Sequence, residues 1–387
     1  VGQIKKNNDK QHLHKAMKDT NFYPMRVSDI QPAAQGAVVI TLQASDEATA
    51  AHFAEYQCGQ YITLRVNIGG EELRRAYSLC SSPHVDKALQ IGVKQVQNGR
   101  VSTYLCQTLC KGDTLEVMPA QGKFSPHIDI DQKKDYFLWA AGSGITPMMS
   151  ILKSIVEAEP KSRVMLYYLN RTEESTMFAE ELKRLEQRYR DQLYVQHCLT
   201  QPKTEKKGGF LGFFAKTVSL WQGDTGRINA EKVSRWVEKQ RSEDGRAAEH
   251  YLCGPEGMMR TVHDTLRLRG VEADNIHQEY FADSAPAAAA TTSAGGQTIK
   301  VTLHKKTFEV ELQPNETILK ALMRIKANPP FSCTSGACST CMAKVVGGKA
   351  TMSRCLALDE SEVNAGYILT CTRSEERRVG KECRSRW

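Results

Sequence analysis

FSCTSGACSTC, residues 331–341, sets Cys333, Cys338 and Cys341 at C-x4-C-x2-C, and Cys371 follows with 29 residues between it and Cys341. That spacing is the one by which four thiolates hold a 2Fe–2S cluster. Two irons need four sulfur ligands. A tight loop rich in Gly and Ser also lets backbone N–H groups point at the sulfurs, which stabilises the added charge of the reduced state. Gly336 suits a turn that must wrap closely around such a group. The rival is zinc on the same thiolates. Structural zinc more often joins two C-x2-C units, and here the pair Cys338 and Cys341 alone has that spacing outside the C-terminal tail. The iron–sulfur reading is preferred.

Working outward, TIKVTLHKKTFEVEL (298–312) reads as a hairpin and ETILKALMRIK (316–326) as a helix, so the cysteines belong to a small β-rich domain at 298–372. Before it, ADSAPAAAATTSAGGQ (282–297) consists almost wholly of small residues, Pro and Gly. This is a flexible linker, with an r.m.s. span of roughly 20–24 Å. Residues 133–281 alternate apolar strands with amphipathic helices: YFLWAAG, PMMSILKSIVEAE, RVMLYYLNR, AEELKRLEQRYRD. That alternation predicts an α/β domain with a parallel sheet. Residues 25–132 carry short β-branched runs, AVVITL, YITLRV, LQIGVKQV and DTLEVM, separated by turn formers. They predict an antiparallel barrel or sandwich. Residues 1–24 are a polar extension, in which His12 and His14 read as solvated.

The composition sets the frame. The chain has 387 residues, 41% hydrophobic and 25% charged, with a formal net charge of +8. Residues 373–387, RSEERRVGKECRSRW, resemble the translated read-through of a sequencing-library adapter and are expected not to be native; they hold six basic and three acidic residues. Without that +3 the remaining +5 is too mild to argue for nucleic acid, and Cys383 drops out of any metal argument. The most apolar window is broken by Gly142, Gly144 and Pro147 and makes a poor membrane span. No secretory leader is evident, so a cytoplasmic location is expected. Cys58, Cys80, Cys106, Cys110, Cys198 and Cys355 read as small buried hydrophobes.

Two motif groups carry nucleotide chemistry. RRAYSLCSSP (74–83) precedes NGRVSTYL (98–105), in which Gly99, Ser102 and Thr103 stand at a helix start. Amides and hydroxyls at a helix N-terminus favour a diphosphate, and Arg75 supplies balancing charge. AAGSGITPMMS (140–150) follows an apolar strand. There Gly142 and Gly144 allow a tight turn and close ligand approach, Thr146 is expected to cap, and Pro147 suits a first helical turn. YLCGP (251–255) ends another strand at the same sheet edge, and IHQEYF (276–281) closes the domain.

These strings, in this order, resemble the ferredoxin–NADP reductase superfamily with a C-terminal plant-type ferredoxin domain, over about residues 25–372. RAYSLCSSP and GRVSTYL resemble most the reductases that serve phenylacetyl-CoA epoxidases. The resemblance implies a flavin β-barrel, an α/β nucleotide-binding domain and an α+β (β-grasp) ferredoxin domain. It implies that Arg75 contacts the flavin phosphates, Tyr77 packs on the ring system and Ser78 hydrogen-bonds near its reactive nitrogen. Gly99, Ser102 and Thr103 would hold the pyrophosphate, and Gly142, Gly144 and Thr146 would line the dinucleotide site. Cys253 and Gly254 would lie beside the nicotinamide, and Glu279 and Phe281 would close the flavin pocket. Ser78, Cys253 and Glu279 are thereby the residues expected at the reacting atoms. Cys333, Cys338, Cys341 and Cys371 would ligate the cluster.

The expected function is a relay from NAD(P)H through FAD and a 2Fe–2S cluster to a terminal oxygenase or another redox acceptor protein. The GRVSTYL motif favours FAD over FMN, and Arg171 at a strand end favours NADPH over NADH. Reductases of Rieske-type oxygenases or hybrid-cluster proteins are the alternative within the class. A zinc-binding or electron-carrier module with an inert flavin domain is the alternative outside it. Two departures from the resemblance stand out. KTEKKGGFLGFFAKTVSLWQGD (203–224) is an insertion, expected to be solvated with a few packed aromatics. The ferredoxin domain, expected to end near Thr372, would lack its closing strand.

Overall fold

The computed structural model describes residues 19–207, 216–281, 296–348, 350, 352–372 and the backbone of 384–386. Most of the polar extension, the middle of the insertion and nearly all of the linker lie outside the described residues.

Strands β1 (Tyr23–Ala34), β2 (Ala37–Ala44), β3 (Tyr61–Ile68), β4 (Glu71–Ser78), β5 (Leu89–Lys94) and β6 (Thr114–Gln121) form one antiparallel sheet in the order β4-β3-β6-β1-β2-β5. A bridge between Leu79 and Ile91 joins its two edges into a barrel. Helices α1 (Glu47–Ala51) and α2 (Arg100–Gln107) complete the domain. Alternation places Ile40, Leu42, Ile62, Leu64 and Val117 inside, all at most 1% exposed. On β3 the outward residues Tyr61 and Thr63 are buried as well. Another part of the chain therefore covers that face.

The second domain is a wholly parallel sheet in the order β12-β9-β8-β7-β13-β14. Its strands are β7 (Lys134–Ala141), β8 (Arg163–Asn170), β9 (Leu193–Leu199), β12 (Asp224–Thr225), β13 (Ala247–Cys253) and β14 (Ile276–Glu279). The helices are α3 (Ile145–Ala158), α4 (Ala179–Arg188), α5 (Ala230–Gln240) and α6 (Glu256–Leu268). The chain leaves β7 toward β8 on one side and reaches β13 on the other. The strand order thus reverses at β7, and ligands of open α/β sheets bind outside the carboxyl ends at such a switch point. Helix α3 is apolar nearly all round because it is sandwiched between this sheet and the barrel, where Phe124, Cys58 and Cys80 join its core. Its Lys153 is 6% exposed and pairs with Asp86 of the barrel domain at 2.7 Å. The insertion contributes an antiparallel ribbon, β10 (Thr204–Lys207) with β11 (Lys216–Ser219), and then Trp221, whose ring meets His197 edge-on at 6.3 Å.

The third domain has β15 (Gln297–Leu303), β16 (Lys306–Leu312), α7 (Ile318–Arg324), β17 (Met342–Val345), α8 (Glu360–Asn364) and β18 (Tyr367–Leu369). Its core is Ile299, Val301, Val310, Ile318, Leu322 and Ile368. A short strand from the tail expected not to be native, β19 (Arg384–Arg386), lies between β15 and β17, parallel to the first and antiparallel to the second. Strand addition uses backbone groups, so the slot asks little of the sequence that fills it.

Candidate functional site

A cavity of about 520 Å³ opens where the three domains meet. Its barrel wall comes from β4 and the turn into α2: Arg75, Tyr77, Ser78, Gly99 and Ser102. Gly99 has extended backbone (φ −81, ψ 103) and is the N-cap of α2; a Cβ there would lie 2.5 Å from Ser102 Oγ. The absence of a side chain at this position is what lets the turn close on the helix. The α2 N-terminus and the guanidinium of Arg75 on one cavity suit an anionic diphosphate. Thr103 stands outside the cavity lining; its hydroxyl accepts from Gln95 Nε2 at 3.3 Å.

The α/β wall comes from Ser143, Thr146, Glu279 and Phe281. Glu279 ends β14 beside Cys253, which ends β13. Burial pushes the Glu279 carboxyl up to about 8, partly offset by a 3.0 Å hydrogen bond donated by Ser78 Oγ. Burial, followed by the neighbouring Glu279, pushes the Cys253 thiol far above its ordinary range. At neutral pH Glu279 and Cys253 thus favour their uncharged forms. Neither Cys253 nor Ser78 is an activated nucleophile.

Gly142 and Gly144 form the turn between β7 and α3. Gly142 takes φ +56 and would meet nothing within 4 Å through a Cβ, so space for a ligand lies beside it. A Cβ on Gly144 would lie 2.1 Å from the Cys253 carbonyl oxygen, and one on Gly254 2.9 Å from Met258. These glycines let the turn and the end of β13 close together. The cap expected of Thr146 is a correction. Gly144 is the N-cap of α3, and the Thr146 hydroxyl donates to the Ser143 carbonyl at 3.0 Å inside the first turn. Arg171 lies beyond the cavity, exposed just after β8, with its charge felt at Lys94.

Cys333, Cys338, Cys341 and Cys371 are 8%, 5%, 1% and 9% exposed and come together in the third domain. The Cys333 thiol is drawn below its ordinary range first by Cys338 and then by Cys371, and Cys341 by Cys371. The N–H groups of Cys338 and Ser335 point at Cys333 Sγ, at 3.3 and 3.5 Å. Gly336 takes φ +75, and a Cβ there would lie 2.8 Å from Thr372. Among the described residues no three Cys, His, Asp or Glu side chains already form a single-ion shell. Four buried thiols linked in pairs, Cys333 with Cys338 and Cys371 and Cys371 with Cys341, with backbone donors aimed at Cys333, fit a two-iron cluster. The other cysteines divide. Cys58, Cys80 and Cys198 are buried, whereas Cys106 and Cys355 are half-buried and Cys110 is exposed in the turn after α2, a correction to the uniform burial expected.

Cys333, Ala337 and Cys338 line the same cavity as Tyr77, Ser78 and Glu279. The cluster loop covers the outward face of β3: Thr63 Oγ1 donates to Ser332 Oγ at 2.9 Å, and Phe331 stacks on Arg74 at 4.3 Å. Lys123 pairs with Glu362 nearby. Sequence reasoning missed Tyr61, Arg74 and Ala76 on this face. The outward positions of YITLRV are Tyr61, Thr63 and the charged Arg65, so nothing local marks this face as covered.

Comparison with known proteins follows these three parts. Residues 41–125 match the "Oxidoreductase FAD-binding domain" family, 138–264 the "Oxidoreductase NAD-binding domain" family, and 301–373 the "2Fe-2S iron-sulfur cluster binding domain" family. The chain is 32% identical over 358 residues to a component of the 1,2-phenylacetyl-CoA epoxidase of Escherichia coli K12, spanning 91% of this chain and 94% of the relative. It is 33% identical to the ferredoxin reductase component of 3-ketosteroid-9-alpha-monooxygenase of Rhodococcus rhodochrous, over 82% of this chain and 84% of that one. Among solved structures, phthalate dioxygenase reductase shares the fold, with a TM-score of 0.57 and 24% identity over 94% of this chain and 97% of that one. No helix among the described residues is long and apolar enough to cross a membrane.

Proposed function

The chain belongs to the oxidoreductase family that joins an FAD-binding, an NAD-binding and a 2Fe–2S domain, and on that premise we propose that it is the reductase component of an oxygenase system, with a phenylacetyl-CoA epoxidase as acceptor. One observation carries the reading: Ser78, Glu279, Cys333 and Cys338 border a single cavity. A flavin held there would be bordered by Ser143 and Thr146 of the β7–α3 turn and by Cys333 and Cys338 of the cysteine loop. When bound, a flavin would supply two-electron chemistry toward the nicotinamide and one-electron chemistry toward the cluster.

The chain's own groups bind, orient and shield. Arg75, Gly99, Ser102 and the α2 N-terminus hold the flavin diphosphate, with Thr103 supporting the same turn. Tyr77 and Phe281 flank the ring system. Ser78 keeps its hydroxyl proton directed at Glu279, and the neutral Glu279 carboxyl keeps a proton available at the reacting edge. Gly142, Gly144 and Thr146 shape the floor for the dinucleotide, with Cys253 and Gly254 closing on the nicotinamide. Arg171, with Lys94 adding positive charge, favours the 2′-phosphate of NADPH. Cys333, Cys338, Cys341 and Cys371 hold the cluster.

The epoxidase assignment rests on the Escherichia coli relative. The ketosteroid monooxygenase relative supports a second acceptor of the same class. The test is to purify the protein with its cofactors, quantify FAD and iron, and follow NADPH oxidation with each purified oxygenase. FAD with two irons per chain, and acyl-CoA-dependent NADPH oxidation with the epoxidase, is the expected result. A colourless, zinc-containing protein would overturn the reading.

A further inference from the structure

Tyr61 and Thr63 point outward from β3 but are only 6% and 1% exposed. Tyr61 packs in one small cluster with Cys333, Cys338, Ala76 and Ala337, and its side chain also forms part of the flavin cavity wall. The ring has a fitted seat. Gly122, held at φ +116, lies where a Cβ would come within 3.2 Å of two Tyr61 ring carbons.

The direction of its hydrogen bond follows from proton counting. Tyr61 Oη lies 3.1 Å from Thr340 Oγ1, and Thr340 Oγ1 donates to Gln121 Oε1 at 3.1 Å. An amide oxygen only accepts, so the single hydroxyl proton of Thr340 is committed there. Tyr61 must therefore donate to Thr340. Gln121 is fixed in turn, its amide nitrogen donating to Met118 Sδ at 3.1 Å. The chain Tyr61→Thr340→Gln121 leaves the barrel, enters the loop between Cys338 and Cys341, and returns to the barrel.

We propose that Tyr61 is a positioning residue for electron transfer inside this protein: its ring fills the gap between the flavin cavity and Cys333 and Cys338, and its hydroxyl, given to Thr340, holds the cluster loop at that distance. This rests on the relay proposed above. In the step concerned, one electron leaves the reduced flavin and reduces the oxidised cluster by one. Tyr61 keeps its proton, and no bond in the protein forms or breaks.

The test is anaerobic stopped-flow of the cofactor-loaded protein with NADPH, following flavin bleaching and then cluster bleaching. Thr340→Val removes both the bond from Tyr61 and the bond to Gln121. It should slow cluster reduction by at least the roughly two- to tenfold that about one lost hydrogen bond costs a docking equilibrium, and leave flavin reduction unchanged. Tyr61→Phe removes the first of those bonds alone and should slow cluster reduction about two- to tenfold, and the double variant no further than Thr340→Val, because the Tyr61–Thr340 bond is then already lost. The cluster midpoint potential should stay at the wild-type value, since the bond goes to Thr340 and not to sulfur. Unchanged cluster reduction in both single variants, multiplying effects in the double, or a potential shift that accounts for the slowing would each overturn the assignment. Absence of cluster reduction in the wild-type protein would instead overturn the relay.

Discussion

Ser78, the last residue of β4, donates a 3.0 Å hydrogen bond to Glu279, the last residue of β14. The contact joins the barrel to the parallel sheet at the wall of the shared cavity. Burial outweighs that hydrogen bond, so the carboxyl sits near 8 rather than 4.5. Between those values the folded protein holds a proton that the unfolded chain has released. Stability from this group is complete below the unfolded value and is lost as pH rises through the folded one.

Glu279→Gln therefore flattens the pH dependence. Melting temperatures of the cofactor-free protein, measured in steps between pH 5 and 9, should fall less steeply with pH in the variant than in the wild type. Parallel curves would show that Glu279 is already ionised.

Arg74 lies over two rings, Phe22 at 5.0 Å and Phe331 at 4.3 Å, and pairs with Glu72 at 2.8 Å. Phe331 is part of the cluster loop, so the guanidinium fastens that loop to the barrel. Desolvated cation–π contacts contribute up to about 2 kcal/mol. Arg74→Ala should enlarge the radius of gyration in solution scattering and slow cluster reduction, with flavin reduction by NADPH preserved. A variant as compact as the wild type would remove Arg74 from the docking account.

Gly144→Ala tests the turn at the sheet's switch point. Its Cβ would sit 2.1 Å from a backbone oxygen of Cys253, and backbone cannot yield as a flexible side chain can. We expect destabilisation of more than about 2 kcal/mol in urea unfolding and a much weakened response of the flavin to NADPH. Full stability with normal flavin reduction would mean that β13 shifts without cost.

Arg171→Ala tests coenzyme choice. Arg171 is exposed at the end of β8, and its charge, after burial, lowers Lys94; an anion beside Arg171 would be favoured. The Michaelis constant for NADPH should rise by about tenfold or more and that for NADH by little, since charged hydrogen bonds contribute about 1.5–3 kcal/mol. Equal changes would refute a role at the 2′-phosphate.

Much of this architecture was legible in the sequence, because its information is local. Cys333, Cys338 and Cys341 lie within one loop, and Gly142 and Gly144 within one turn. Alternation in AVVITL and the strand–helix rhythm after Asp135 each need only a short window. What stayed hidden joins residues far apart. Tyr61 meets Thr340 across 279 positions, and Thr63 meets Ser332 across 269. No periodicity links such pairs. A β-strand whose two faces are both buried also looks locally like one facing solvent when its outward residues are Tyr and Thr. The hydroxyl of Thr146 shows the same limit on a smaller scale: its position suited a cap, and which carbonyl or N–H it would choose depended on the turn geometry.

The central claim, that electrons pass from the flavin to the cluster within one molecule across the shared cavity, has a direct test. Cluster reduction after a single addition of NADPH should be followed anaerobically over a hundredfold range of protein concentration. The account predicts one first-order rate constant throughout that range. A rate rising in proportion to protein concentration would place the transfer between molecules and contradict it.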